Sequence, residues 1–187
     1  MSQQPQPVPQ AAPAPAMQAC QVPDYQMNPE LLQKFNEIDK DKSGTLSLEE
    51  LFNAYKYSRE AKIDDIGAVR MLMGAVTDKE VITLEEFQKF DQYAISINKA
   101  FTTIGGGQNI LKQEQMIIAM QMLQLQFDPE IAARLFRCLK PVGWSGLPVS
   151  AFTKACAFFL NCYNTAQKHA GQPVNYALMQ ALAICFV

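Results

Sequence analysis

The twelve residues Asp39-Lys40-Asp41-Lys42-Ser43-Gly44-Thr45-Leu46-Ser47-Leu48-Glu49-Glu50 constrain this 187-residue chain more than any other segment. Oxygen-bearing residues stand at the first, third, fifth, seventh, ninth and twelfth positions, with glycine at the sixth and leucine at the eighth. That is the pattern of a calcium loop between two helices, because the ion takes roughly six to eight hard oxygens. Asp39, Asp41 and Ser43 offer side-chain oxygens, Thr45 its backbone carbonyl, Ser47 a direct or water-mediated contact, and Glu50 both carboxylate oxygens. Gly44 permits the sharp turn that closes the loop. Leu46 points away from the ion into the core, and Ser47 with Glu50 forms a capping box that opens the next helix. Magnesium is the rival occupant, since it also takes carboxylate oxygens.

The flanking sequence supplies the helices. Asn28-Pro29-Glu30 combines an N-cap residue, a proline at the first helical position and an acid suited to the helix dipole. Leu31, Phe35 and Ile38 then recur at helical spacing, which predicts a first helix to about Ile38. Ahead of it, residues 1–28 form a Pro/Gln/Ala-rich tail, and residues 1 to 29 hold seven of the eleven prolines. Such a segment cannot bury enough apolar surface to offset its ordering entropy, so it is expected to be a flexible linker. A polyproline ligand for an aromatic groove is the other reading. Residues 29–187 form the folded domain.

The first loop leaves a weaker trace that repeats. An apolar residue at the eighth position is followed four residues later by the loop's last residue, as in Leu46 with Glu50. Ile82 with Glu86 and Ile110 with Glu114 repeat it, and Leu147 with Ala151 and Val174 with Leu178 have lost the acid. These eighth positions are spaced by 36, 28, 37 and 27 residues. After each loop is subtracted, the short intervals leave one helix shared by two loops, and the long ones leave two shorter helices and a link. Long helices are therefore expected near residues 84–103 and 150–168. Thr83 with Glu86, Asp128-Pro129-Glu130 and Asn175 mark further helix starts.

Only the first loop keeps its ligands. The second, Ala75 to Glu86, has alanine at its first position and Glu80 in place of glycine, so Thr77, Lys79 and Glu86 make a poor cage. The third, around Gly105 to Asn109, reads as shortened, with no carboxylate before Glu114. The fourth, Lys140 to Ala151, has lysine and alanine where the key acids belong. No calcium is expected in these three.

On the first loop, the alternating spacing and the apolar ending Ala183-Ile184-Cys185-Phe186-Val187, the chain resembles the penta-EF-hand family, which includes sorcin, grancalcin and the calpain small subunit. Protozoan granule proteins of the grainin type are a narrower likeness. The resemblance implies an all-α fold of five EF-hand helix-loop-helix units with shared long helices and short β pairings between loops. It also implies a homodimer through about residues 158–187, and calcium-dependent association with protein targets or membranes. The family's third hand commonly binds calcium, whereas Gly105 to Glu114 has lost that pattern.

Composition narrows the function further. A formal net charge of -2 argues against nucleic acid as the partner. Residues 1 to 111 hold 15 acidic and 10 basic side chains, and residues 112 to 187 hold 3 and 6, so a cation site belongs in the front half. Five scattered cysteines, Cys20, Cys138, Cys156, Cys162 and Cys185, have no C-x-x-C spacing and read as reduced thiols. The amino terminus has no signal-like pattern and no apolar run approaches the ~20 residues of a bilayer span, so the expectation is a soluble, cytoplasmic protein, associated with granules or membranes in the narrower readings.

An enzyme is not expected. Cys162 with His169, oriented by Asn161 or Asn164, is the best nucleophile pair, but proximity in sequence is no substitute for geometry. Gly143-Trp144-Ser145-Gly146-Leu147 lacks the closing glycine of a serine nucleophile elbow. Gly105 to Gly107 fit a turn better than an anion nest. Met116, Met120 and Leu123 share one helical face, which suits either the core or an adaptable partner surface. Two functions remain: a calcium-binding regulator that modulates partner or membrane association, and a structural or storage subunit with one stabilising calcium or magnesium site and no switch.

Overall fold

The computed structural model describes residues 28–125 and 127–168. Seven helices and one small sheet are present among them: α1 Pro29–Ile38, β1 Leu46–Ser47, α2 Leu48–Tyr55, α3 Ile66–Gly74, β2 Val81–Ile82, α4 Leu84–Gly105, α5 Gln113–Met122, α6 Pro129–Leu139 and α7 Val149–Lys168. The Pro/Gln/Ala-rich tail through residue 27, the fifth hand expected beyond α7, Asn175, the apolar ending, Cys20, Cys185 and His169 lie outside the described residues.

Helix starts follow the local chemistry. The Asn28 side chain accepts from the Glu30 N–H at 2.9 Å, and Asp128 accepts from Glu130 at 2.7 Å, each with proline opening the helix behind it. Ser47 with Glu50 and Thr83 with Glu86 form reciprocal capping boxes. Two helices are long, α4 and α7, and the pairs α2/α3 and α5/α6 are short, which is the alternation expected from the spacing of the repeats.

Antiparallel pairing joins the loops two by two. Leu46 pairs with Ile82 and Ser47 with Val81, while Leu111 pairs with Leu147. This second pair corrects the third repeat by one residue. Its eighth position is Leu111 rather than Ile110, and its last is Gln115 rather than Glu114, because the Lys112 N–H donates to Gln115 Oε1 at 2.9 Å as Thr83 does to Glu86. The loop from Ile104 to Gln115 then has the full length of twelve, so it is not shortened. The eighth positions at 46, 82, 111 and 147 are spaced by 36, 29 and 36 residues. Gly106, left-handed at φ 57, ends α4 inside this loop.

One continuous core runs through the four hands of the described residues. Phe35 meets Phe87 edge to face at 5.6 Å, and Phe101 lies 5.9 Å from Phe152. Each fully buried aromatic contributes about 1.5–3 kcal/mol. Met116 and Met120 are fully buried and Leu123 packs against the core, so this stripe is interior and not a partner surface.

Three polar links hold α7 along α3. Lys154 Nζ lies 2.8 Å from Asp65 Oδ2, Asn161 donates to the Met71 carbonyl at 2.9 Å, and Asn164 donates to the Ala75 carbonyl. Burial would raise the Asp65 pKa, but the Lys154 contact and the Ala68 N–H outweigh it and hold the group below its ordinary 3.8. A carboxylate depressed in the folded state contributes stability above its unfolded pKa and loses it as pH falls through the folded one. Lys154→Met is therefore expected to be less stable than wild type above pH 3.8, with the gap closing below it. Urea unfolding across that range tests this; a gap that does not change with pH would refute it.

Candidate calcium centre

Asp39 directly follows α1 and is buried, with its N–H donating to the Phe35 carbonyl at 2.9 Å. Its two carboxylate oxygens accept from the N–H groups of Ser43 and Gly44, at 3.0 and 2.9 Å. Asp41 Oδ1 shares the Ser43 N–H at 3.0 Å. These bonds fold the loop back on itself, which requires left-handed backbone at Lys42 (φ 57) and Gly44 (φ 78). The Ser43 hydroxyl lies 2.9 Å from the Thr45 carbonyl, which brings the fifth and seventh positions together.

Glu50 closes the ring from the other side. Its Oε1 accepts from the Lys40 N–H at 2.9 Å, and its Oε2 accepts from the N–H and hydroxyl of Ser47 at 2.9 and 2.7 Å. The last loop residue is thereby tied to the second, and α2 is tied to the end of α1. Burial opposes ionisation of Glu50, but the donors from Ser47 and Lys40 outweigh it and lower its pKa. Asp41 is lowered as well, first by the Ser43 hydroxyl. Both are ionised at neutral pH and ready to act as ligands.

Asp39, Asp41 and Glu50 each present a carboxylate oxygen within 4.8 Å of the other two. Oxygens on a calcium shell of about 2.4 Å radius lie at most about 4.8 Å apart, so this donor set fits the ion. When bound, calcium supplies a divalent charge that offsets two of the three negative charges of the carboxylates. The oxygens of Ser43, Thr45 and Ser47 belong to the same loop and are the remaining candidates for its shell.

Beneath the loop lies a polar cluster that sequence reasoning missed. Asp91 of α4 is buried; its Oδ1 lies 2.6 Å from Lys34 Nζ of α1 and accepts from the Tyr55 hydroxyl of α2. Lys34 Nζ also lies 5.2 Å from the centre of the Tyr55 ring. Burial, then the adjacent Asp91 charge, raises the Tyr55 pKa, so the phenol stays protonated and donates. Both helices of the first hand are thus clasped to one carboxylate 41 residues beyond Glu50. An acid in the middle of α4 was the available signal; a helical surface residue looks the same in sequence.

The other loops are built differently. Thr77 of the second loop is buried and accepts from the Lys79 N–H at 3.3 Å. In the fourth, Lys140 at the first position donates from Nζ to the Trp144 carbonyl at 2.8 Å, so an ammonium organises the loop from within. Cys162 is buried, which pushes its thiol up to about 11. Asn161 and Asn164 are engaged with α3 carbonyls rather than poised beside it. Cys138, Cys156 and Cys162 are free thiols.

The first loop carries the donor pattern of an EF-hand calcium site, and the described residues form four helix-loop-helix units joined in two pairs. A family model described as "EF hand" matches residues 32–51, covering most of α1, the loop and the first turn of α2. Among solved structures, the chain is similar to a homolog of programmed cell death 6 protein from Leishmania major Friedlin, at 18% identity and a TM-score of 0.55. The likeness covers 83% of this chain and 92% of that one. A search of the curated proteins returns no match.

Proposed function

We propose that the protein is a calcium-responsive regulator in which occupancy of the Asp39–Glu50 loop alters a surface offered to protein targets or membranes. The observation that carries this reading is the double tethering of the first hand. Glu50 links α2 to the loop at one end, and Tyr55 links α2 to Asp91 at the other. A change in the Glu50 carboxylate is felt along an eight-residue helix whose far end shares an acceptor with Lys34 of α1. Such a linked pair of helices can convert local coordination into a change of interhelical packing. The protein acts as a homodimer through residues 158–187 in a reducing, cytoplasmic setting.

Apolar-dye fluorescence and size-exclusion chromatography, each with calcium and with chelator, test this. Calcium is expected to raise dye binding, with a dimer eluting in both states. A higher melting temperature with unchanged dye binding would replace the switch by a structural or storage role. A monomer would refute the dimer.

A further inference from the structure

The fourth loop has lost its acids and carries an apolar tip instead. Pro141, Val142, Gly143 and Trp144 form a turn in which the Trp144 N–H donates to the Pro141 carbonyl at 3.1 Å, with Gly143 at φ 81. Val142 is fully exposed, and Trp144 is 49% exposed. Lys140 ties the base of the turn to the Trp144 carbonyl. Just behind it, Leu147 and Leu111 exchange two backbone hydrogen bonds of 2.8 Å, and a Cβ on Gly146 would lie 2.5 Å from the Leu111 carbonyl oxygen. The tip is therefore held out from a rigid base.

Its surroundings lean basic. The two paired loops, Ile104 to Gln115 and Lys140 to Ala151, with α6 leading into the second, hold Lys112, Arg134, Arg137 and Lys140 against Glu114 and Glu130. Arg134 pairs with Glu130, whereas Lys112, at the start of α5, and Arg137, in the last turn of α6, are exposed. Glu114 is the nearest carboxylate in sequence to Lys112.

We propose that the Pro141–Trp144 tip inserts shallowly into the interface of an anionic lipid bilayer, with Lys112 and Arg137 facing the headgroups while Lys140 braces the turn from within. A valine with no protein wall beside it suits a deformable bilayer. A stable protein partner needs on the order of 800 Å² per side, which a four-residue tip does not offer. Tryptophan favours the membrane–water boundary, and each nearby basic residue strengthens attraction to an anionic leaflet. Neither loop keeps the ligands of a calcium site, so this contact does not require the ion. It is separate from the Asp39–Glu50 reading, and either can fail alone.

Trp144 is the single tryptophan of the chain, so its emission reports on the tip directly. The full chain in EDTA is titrated with phosphatidylcholine vesicles, with and without phosphatidylserine at about one-third of the lipid. A blue shift and co-sedimentation are expected with the anionic vesicles only. Val142→Asp is expected to lower partitioning at least tenfold, and Arg137→Gln about fivefold, with unchanged far-ultraviolet circular dichroism. An emission already blue and unaffected by either vesicle would overturn the proposal, because the tip would then be covered. Equal binding to pure phosphatidylcholine would overturn it, as would a response to polyglutamate but not to vesicles, which would indicate an acidic protein partner. Binding that needs calcium and disappears in Glu50→Gln would place the contact elsewhere and overturn it too.

Discussion

Glu50→Gln is expected to weaken calcium binding by on the order of 100-fold, equivalent to about 2.7 kcal/mol, while leaving the fold intact. The change removes one full charge from a group of three carboxylates and replaces a bidentate donor with a single carbonyl oxygen. The helix start should survive, because glutamine at the third helical position also completes a capping box with Ser47. Titration calorimetry on wild type and variant, with circular dichroism as the control for folding, measures both parts. One ion bound by wild type and lost by the variant is the expected result. Undiminished affinity in the variant would move the site away from this loop, and no binding by wild type at millimolar calcium would reduce the hand to a scaffold.

Asp91→Ala is expected to cost about 2–4 kcal/mol of folding stability. It leaves the buried Tyr55 hydroxyl without its acceptor and the Lys34 ammonium without its counter-ion. Lys34 is one-third exposed and can turn to water, which keeps the cost below that of a fully buried broken pair. Tyr55→Phe, which leaves the ion pair in place, should cost only about 1 kcal/mol. The two changes remove a shared contact, so the double variant should be less destabilised than the sum of the singles. Urea unfolding of all four proteins gives the cycle. A loss under about 0.5 kcal/mol for Asp91→Ala would show that this cluster is ordinary surface electrostatics.

Much of the site was legible in sequence because its determinants are local. Within Asp39 to Glu50 the ligand spacing, the glycine and the capping box all act over a few residues, and the structure brings the three carboxylates together there. The third hand shows where such reading fails. Ile110 and Leu111 are adjacent apolar residues, and Glu114 attracted the alignment because it is an acid. Pairing with Leu147 selects Leu111, since only that register exchanges two hydrogen bonds with the fourth loop. Strand register depends on a partner far away in the chain, so a one-residue error is invisible until the partner is placed.

The sequence alone determined the calcium loop, the helix starts at Asn28, Ser47, Thr83 and Asp128, and the alternation of long and short helices. Capping bonds span two or three residues, and helical periodicity is a property of one segment. The tertiary structure alone decided that Asp91 receives both Lys34 and Tyr55, that Asn161 and Asn164 fasten α7 to α3, and that Met116 and Met120 face the core while Val142 faces solvent. Those outcomes follow from contacts between residues distant in sequence, or from which side of a turn or helix the rest of the fold covers. Contacts between distant residues leave no periodic trace, and the spacing of Met116 and Met120 reports a shared helical face without saying what covers it.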